Sequence, residues 1–356
     1  MKKLKIAQIA PLWFPIPPKK YGGIEWVVYN LVEELVKKGH DVTLFASGDS
    51  NPPKGCKFIP VYPTSLKKDG ISWQDHTYEL LILNQVFRRA KEFDIIHSHI
   101  DLWEVYFPSL VKTVCLHTIH NPLYSSAKKD SRLFIFEKFK KNNYVAISKS
   151  QKKLSRVKLN FAGVVYNGIR IKEFDFNPTP KDHFIWSARI NKHKGIENAI
   201  EIAEKTGIKL HLAGRLDDGQ KDYFKEKIKP RLNNKIKYIG EYSREEKSKF
   251  FGEARALIYP IEWEEPFGLN MAEAQACGTP VIAYDKGSVS EVVKDGKTGF
   301  VVNNIKGAIE ATKKIDQIKR EHCREWVEKN FTEKTMTKGY EKIYYKLLNK
   351  NIGSSR

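Results

Sequence analysis

The sequence predicts an α/β chain of two doubly wound parallel sheets that face each other across a cleft. Three observations predict it. Short apolar strands alternate with amphipathic helices along the chain, which is the signature of crossover-connected parallel sheets. The alternation stops near residue 175, in a stretch carrying Pro178 and Pro180, and then restarts. The 356 residues are about what two domains of ordinary size need.

The first strand is expected at Lys5–Ala10. Lys5 and Gln8 interrupt the apolar run and Pro11 and Pro15 follow closely, so it reads as a buried strand and not as a secretory leader. Gly22 and Gly23 make the turn into a helix whose Ile24, Val27, Val28, Leu31, Val32, Leu35 and Val36 recur at helical spacing. Gly39 stands where that helix should stop. Further strands are expected at Asp41–Ser47, Phe58–Val61, Asp94–His99, Thr113–His120, Tyr144–Ser148 and Gly163–Tyr166.

Phe174–Asp182, with two prolines and no periodicity, reads as a linker between a domain of residues 1–175 and one of 181–335. The second set of strands is expected at Phe184–Ala188, Lys209–Ala213, Lys235–Ile239, Ala256–Tyr259, Val281–Tyr284 and Phe300–Val302. Residues 336–356 form a closing helix with Met336, Tyr340, Ile343, Tyr344, Leu347 and Leu348 on one apolar stripe. Ligands of such sheets sit at the carboxyl ends of the strands.

The net charge of +20 favours an anionic partner: nucleic acid, anionic lipid or a phosphorylated substrate. No apolar run is long enough for a membrane-spanning helix. Cys56, Cys115, Cys277 and Cys323 form no CxxC pair or zinc spacing, so a reducing, cytoplasmic compartment is the simplest reading. His97-x-His99 and the group Cys115, His117 and His120 raise the question of a metal, but no complete ligand set follows, and strand-end structural roles account for them.

The densest local signal is Glu264–Ile282. Pro266 suits a helix start and Gly278 its end. The helix is expected to begin near Phe267, Gly268 and Leu269, whose free amides can meet an anion or hydroxyls. Glu265 precedes this helix and Glu273 lies within it, so both carboxylates can address one elongated ligand; a capped surface helix with two ordinary acids is the plainer alternative. Gly22 and Gly23 let backbone approach phosphates, or merely form a turn, and no GxGxxG follows the first strand to support a nicotinamide or flavin site.

The Glu264–Ile282 stretch resembles the paired-glutamate region of retaining glycosyltransferases, in particular glycosyltransferase family 4 with the GT-B fold. Supporting matches appear in order at Tyr21–Glu25, Thr118–His120, Ala146–Ser148, Tyr166–Ile169, Ala188–Gly195 and Gly287–Glu291. The resemblance spans essentially the whole chain. It implies transfer of a hexose from a nucleotide-diphosphate sugar, a UDP-sugar first and GDP-mannose second, with retained anomeric configuration.

By position, it implies that Glu273 holds the ribose hydroxyls and that Glu265 sits beside the donor sugar. Arg189 and Lys194 would grip the diphosphate, where permanent positive charge meets the departing phosphate. His120 would lie near the reacting face of the sugar, and Tyr242 in the loop that reads the base. No metal or cofactor is required, the nucleotide sugar being a substrate. The closing helix should pack back on the first domain.

The segment Lys128–Lys158 carries eleven basic residues against Asp130 and Glu137, a net of +9, interleaved with Leu133, Phe134, Phe136 and Phe139. It is either a solvated face or a patch for an anionic membrane surface at the cytoplasmic side, where a lipid-linked acceptor would be met. The rival readings are a non-catalytic basic protein that binds membrane or nucleic acid, and a sugar-nucleotide epimerase. The first leaves the paired glutamates unexplained, and no nucleic-acid-reading motif supports it. Formation of a new glycosidic bond separates transfer from epimerisation. The acceptor, a sugar, a lipid or a glycan end, is not legible.

Overall fold

A computed structural model describes residues 2–123 and 130–354. It divides into two compact units, residues 1–168 with 333–356 and residues 169–332.

The first unit holds a seven-stranded parallel sheet: β1 (Lys5–Ile9), β2 (Asp41–Ala46), β3 (Lys57–Pro60), β4 (Ile95–Ser98), β5 (Val114–Ile119), β6 (Tyr144–Ala146) and β7 (Phe161–Val164). The order is β3-β2-β1-β4-β5-β6-β7, so the direction of winding reverses between β1 and β4. Ile6, Ile9, Val42, Leu44, Ile95, Ile96, Leu116 and Val145 are buried almost completely, as strands covered on both faces require. The helix Gly23–Lys37 buries Val27, Val28, Leu31, Val32 and Leu35. It packs against the closing helix Glu333–Ser354, whose Met336, Tyr340 and Tyr344 are also buried.

Gly22 ends the loop before the first helix with φ 150, and a Cβ there would lie 2.6 Å from Pro18 Cγ. The position needs glycine for packing as well as for conformation.

The second unit holds a six-stranded parallel sheet: β8 (Phe184–Ser187), β9 (Leu210–Ala213), β10 (Ile236–Tyr238), β11 (Leu257–Tyr259), β12 (Val281–Tyr284) and β13 (Gly299–Val302). Its order, β10-β9-β8-β11-β12-β13, reverses between β8 and β11.

The stretch expected as a linker is packed structure. The division falls at Gly168 and Ile169, ahead of residue 175. Phe174 is buried beneath the Arg244 guanidinium, 5.0 Å from its ring centroid. The Asp175 amide donates to Ser248 Oγ at 2.8 Å and the Asn177 amide to the Cys277 carbonyl at 3.1 Å. These contacts make Ile169–Pro180 part of the second unit.

Candidate active site

In the second unit, the switch point between β8 and β11 brings together two loops remote in sequence. Ser187 ends β8, and the chain then passes Arg189 to a single turn at Lys192–Lys194. Asn191 caps that turn by accepting from the His193 amide at 2.9 Å, and the Trp186 indole donates to the Lys194 carbonyl at 3.0 Å. The Lys194 backbone is thus fixed from within the sheet.

β11 ends at Tyr259, and the loop after it carries Trp263 and Glu265. A single carboxylate oxygen, Glu265 Oε2, accepts from Lys194 Nζ at 2.9 Å, Tyr259 OH at 3.0 Å and Trp263 Nε1 at 3.0 Å. The Lys194 ammonium also lies 4.1 Å from the centroid of the Trp263 ring, an electrostatically favourable placement over its face. Glu265 is buried, and its carbonyl accepts from the Ser288 amide at 2.9 Å. Its neighbour Glu264 turns the other way and accepts from the Gly287 amide at 2.6 Å. Of the adjacent acids, one braces a loop and the other is held among cationic and aromatic groups.

The helix that follows runs Leu269–Ala276. Gly268 precedes it at φ 78 with no side-chain cap, so amides of its first turn lack a capping side chain. A Cβ on Gly268 would come 2.4 Å from Met271 Cε and 3.2 Å from Glu265 Cγ, so glycine leaves room for the side chains packed around this helix start. Asn270 reaches back to β8, its Nδ2 donating to the Ser187 carbonyl at 2.7 Å. Ser187 Oγ is hydrogen-bonded to Tyr242 OH, and the Tyr242 ring packs 5.1 Å from that of Phe250. Burial raises the pKa of the Tyr242 phenol.

Glu273 is buried in the second turn and paired with two cations of the helix Arg244–Gly252. Arg244 NH1 donates to its Oε1 at 3.2 Å, and Lys247 Nζ forms an ion pair with Oε2. Burial pulls the Lys247 pKa down against the attraction of Glu273. Arg244 also donates to Glu173 at 2.6 Å. Arg189 is held more loosely: its side chain is 41% exposed and lies 3.8 Å from Asp217, which Arg215 engages at 2.7 Å.

The structure therefore joins Lys194 directly to Glu265 and places Tyr242 beside Ser187 and Asn270. It gives Glu273 to Arg244 and Lys247. Sequence reasoning missed Tyr259, Trp263, Arg244 and Lys247. A signal existed for the last two: they are three apart behind Ser243, in a helix opened by a capping box with Glu246, and so share a face.

In the first unit, His120 directly follows β5. Its backbone amide donates to Asp101 Oδ1 at 3.0 Å, as does that of Asn121 at 3.3 Å. Its ring Nε2 is 2.9 Å from His99 Nδ1. Burial lowers the His120 pKa to about 3 and raises that of Asp101 to about 6, so the ring is neutral at neutral pH. Gly22 and Gly23 stand in the connection after β1, one of the two strands, β1 and β4, between which this sheet reverses.

Two family models match the chain in succession. The one described as Glycosyltransferase Family 4 matches residues 21–173, and the one described as Glycosyl transferases group 1 matches residues 169–333. An uncharacterized glycosyltransferase of Methanocaldococcus jannaschii is 25% identical over 336 residues, spanning 83% of this chain and 85% of its own. The sucrose-phosphate synthase of Thermosynechococcus elongatus shares the fold with a TM-score of 0.79 at 20% identity, over 98% of this chain and 100% of that one. The Anabaena protein HepE, solved in complex with UDP-glucose, shares it with a TM-score of 0.72 at 18% identity, over 97% of this chain and 99% of that one. The two parallel-sheet, Rossmann-like units are those of the GT-B glycosyltransferases.

Proposed function

The chain belongs to glycosyltransferase family 4, and from that premise we propose that it transfers a hexose from a nucleoside-diphosphate sugar to a hydroxyl acceptor, with retention and without a metal. The observation that carries the reading is the Lys194–Glu265–Trp263–Tyr259 group at the switch point between β8 and β11. That is where an open α/β sheet binds its ligand.

The leaving group departs as a nucleoside diphosphate, and negative charge grows on its oxygens. Arg189 and Lys194 supply fixed positive charge there, together with the N-terminal end of Leu269–Ala276, which has no side-chain cap. Positive charge grows at the same time on the sugar ring, and Glu265 offers the complementary carboxylate. Three donors on one oxygen of Glu265 reduce its nucleophilicity, which favours same-face attack over a covalent sugar–enzyme intermediate. In same-face attack the leaving phosphate takes the acceptor proton. His120, neutral at working pH, orients a hydroxyl by hydrogen bonding.

UDP is the favoured nucleotide, supported by the UDP-glucose complex of the similar-fold HepE. Glu273 and Tyr242 would take the nucleoside end, a role supported by the way Arg244 and Lys247 hold the Glu273 carboxylate and Ser187 holds the Tyr242 hydroxyl.

Thermal shift with UDP, GDP and their sugars selects the donor, and NMR of the product reads the new linkage. An α-linked donor giving an α-linked product, with turnover surviving EDTA, supports the proposal. A β-product refutes retention, and magnesium-reversible loss with EDTA refutes metal independence.

The same enzyme is proposed to visit an anionic membrane surface on the cytoplasmic side, where a lipid-linked acceptor would be available. Lys128 and Lys129 lie outside the described residues. Within them, Lys140, Lys141, Lys152, Arg156 and Lys158 line one groove of about 890 Å³, and the nearby Phe134 is 64% exposed with Lys138 over its ring. Among the described residues no helix is long and apolar enough to cross a membrane. Salt-sensitive co-sedimentation with anionic vesicles tests this association; equal binding to neutral vesicles refutes it.

A further inference from the structure

Behind His120 runs a chain of buried polar side chains that the transfer reaction as described does not use. His97 on β4 and His99 just beyond it point to one face. Gln8 lies on the adjoining β1, Thr118 on the adjoining β5, and Tyr340 and Tyr344 one turn apart on Glu333–Ser354. His97 and His99 are 0% and 1% exposed and His120 is 7% exposed, so His120 is the end that solvent or a ligand reaches.

Each hydrogen bond fixes the direction of the next. The Thr118 hydroxyl donates to Tyr340 OH at 3.1 Å, so it accepts from His97 Nε2 at 2.8 Å. His97, neutral with one N–H, then accepts at Nδ1 from Tyr344 OH at 2.7 Å. The Tyr344 oxygen accepts from Gln8 Nε2 at 3.1 Å, which turns Gln8 Oε1 toward His99. His99 Nε2 donates to that oxygen at 3.1 Å, leaving the His99 Nδ1 lone pair for His120 Nε2 at 2.9 Å. Burial keeps all three rings neutral, each pKa being pushed down. With the Gln8 amide oriented as in the structure, Nε2 toward Tyr344 and Oε1 toward His99, and Thr118 donating to Tyr340, this pattern of protons satisfies every member in sequence.

We propose that this relay locks His120 as the Nε2–H tautomer with its lone pair on Nδ1, making Gln8 and His99 positioning residues that present His120 as a hydrogen-bond acceptor for a sugar hydroxyl. No described residue hydrogen-bonds to His120 Nδ1. The opposite tautomer would offer an N–H there and ask the substrate oxygen to accept. The choice of ligand rests on the glycosyltransferase reading; the tautomer does not.

Long-range 1H–15N correlation NMR on histidine-labelled protein reads the tautomer directly. The expected spectrum has a protonated Nε2 and an unprotonated Nδ1 on His120; a protonated Nδ1 overturns the lock. Gln8→Met removes the acceptor for His99 and should release His120 to populate Nδ1–H. Its kcat should fall about tenfold while donor KM stays within about twofold, as expected of a hydrogen bond that acts on the reacting sugar in the transition state. Tyr344→Phe leaves Gln8 Oε1 able to accept and should keep the wild-type tautomer. Loss of the tautomer in Tyr344→Phe alone, with Gln8→Met unaffected, overturns the order of the relay. If Gln8→Met does not fold, the wild-type spectrum still decides. A wild-type Nε2–H spectrum combined with full turnover in His120→Phe would retain the lock and overturn the hydrogen bond to the sugar hydroxyl.

Discussion

Replacing Glu265 by glutamine keeps the shape of the side chain and removes its charge. The three donors to Oε2 stand at 2.9, 3.0 and 3.0 Å, and a carboxamide oxygen in the same place can receive all of them. Tyr259 and Trp263 keep their hydrogen bonds but to a neutral acceptor, a weakening offset by the lower cost of burying a carboxamide than a carboxylate. Lys194 loses a charged partner: hydrogen bonds to charged groups contribute about 1.5–3 kcal/mol against about 1 for neutral ones. The free protein should therefore lose about 0.5–2 kcal/mol, a fall in Tm of a few degrees. For UDP the sign reverses. Glu265 competes with the diphosphate for Lys194 and repels it, so Glu265→Gln should bind UDP as tightly as wild type or up to about tenfold more tightly. Turnover should fall by about 10²–10³, the usual cost of removing a fixed electrostatic group from a transition state. Calorimetric titration with UDP, steady-state transfer and a thermal melt measure the three quantities. UDP affinity more than about tenfold weaker, with an unchanged melt, would assign Glu265 to the nucleotide and refute the division of roles.

Glu273→Ala should destabilise as well as weaken nucleotide binding, because Lys247 and Arg244 lose a shared buried counter-charge; a loss of about 3–5 kcal/mol in urea unfolding is expected, and a wild-type midpoint refutes it. Arg189→Ala should behave oppositely, since its 41% exposed side chain makes only a 3.8 Å ion pair: stability within about 0.5 kcal/mol of wild type, but kcat/KM down about 10–150-fold. Near-wild-type turnover would remove Arg189 from the diphosphate grip. Asp101 has its folded pKa raised to about 6 by burial, so the stability tied to its proton is present below the unfolded value of 3.8 and is lost as pH rises through 6. Asp101→Asn cannot ionise, so its stability relative to wild type should improve by up to about 3 kcal/mol between about pH 4 and about pH 8; a pH-independent difference refutes the assignment.

Every expected strand overlaps one of the thirteen among the described residues, for a physical reason. Strands covered on both faces are short continuous apolar runs, and their alternation with helical stripes leaves little ambiguity. The expected linker fails for the converse reason. Phe174–Asp182 has the prolines and polar residues of an exposed segment, and nothing local reveals that Phe174 lies beneath Arg244 or that Asn177 bonds to Cys277 and Gly252. Burial there is conferred by residues seventy or more positions away.

Sequence distance also decides what is readable at the candidate site. Glu265, Glu273 and the first turn of Leu269–Ala276 lie on one continuous stretch, so their order along it is readable without knowing the sheet. The contact between Lys194 and Glu265 spans 71 residues and exists because β8 and β11 are neighbours across the switch point. Strand–helix alternation does not specify that adjacency; an order without reversal has the same local pattern. The histidine relay depends on it twice, since Gln8 reaches His99 only with β1 beside β4, and His97 reaches Thr118 only with β4 beside β5. Tyr344 joins from 247 residues beyond His97. The residues that align a candidate group thus come from the sheet order, whereas the group itself is announced by its neighbours in the chain. This is why His120 is a candidate from sequence alone, while the tautomer it carries becomes arguable only once β1, β4 and β5 stand side by side.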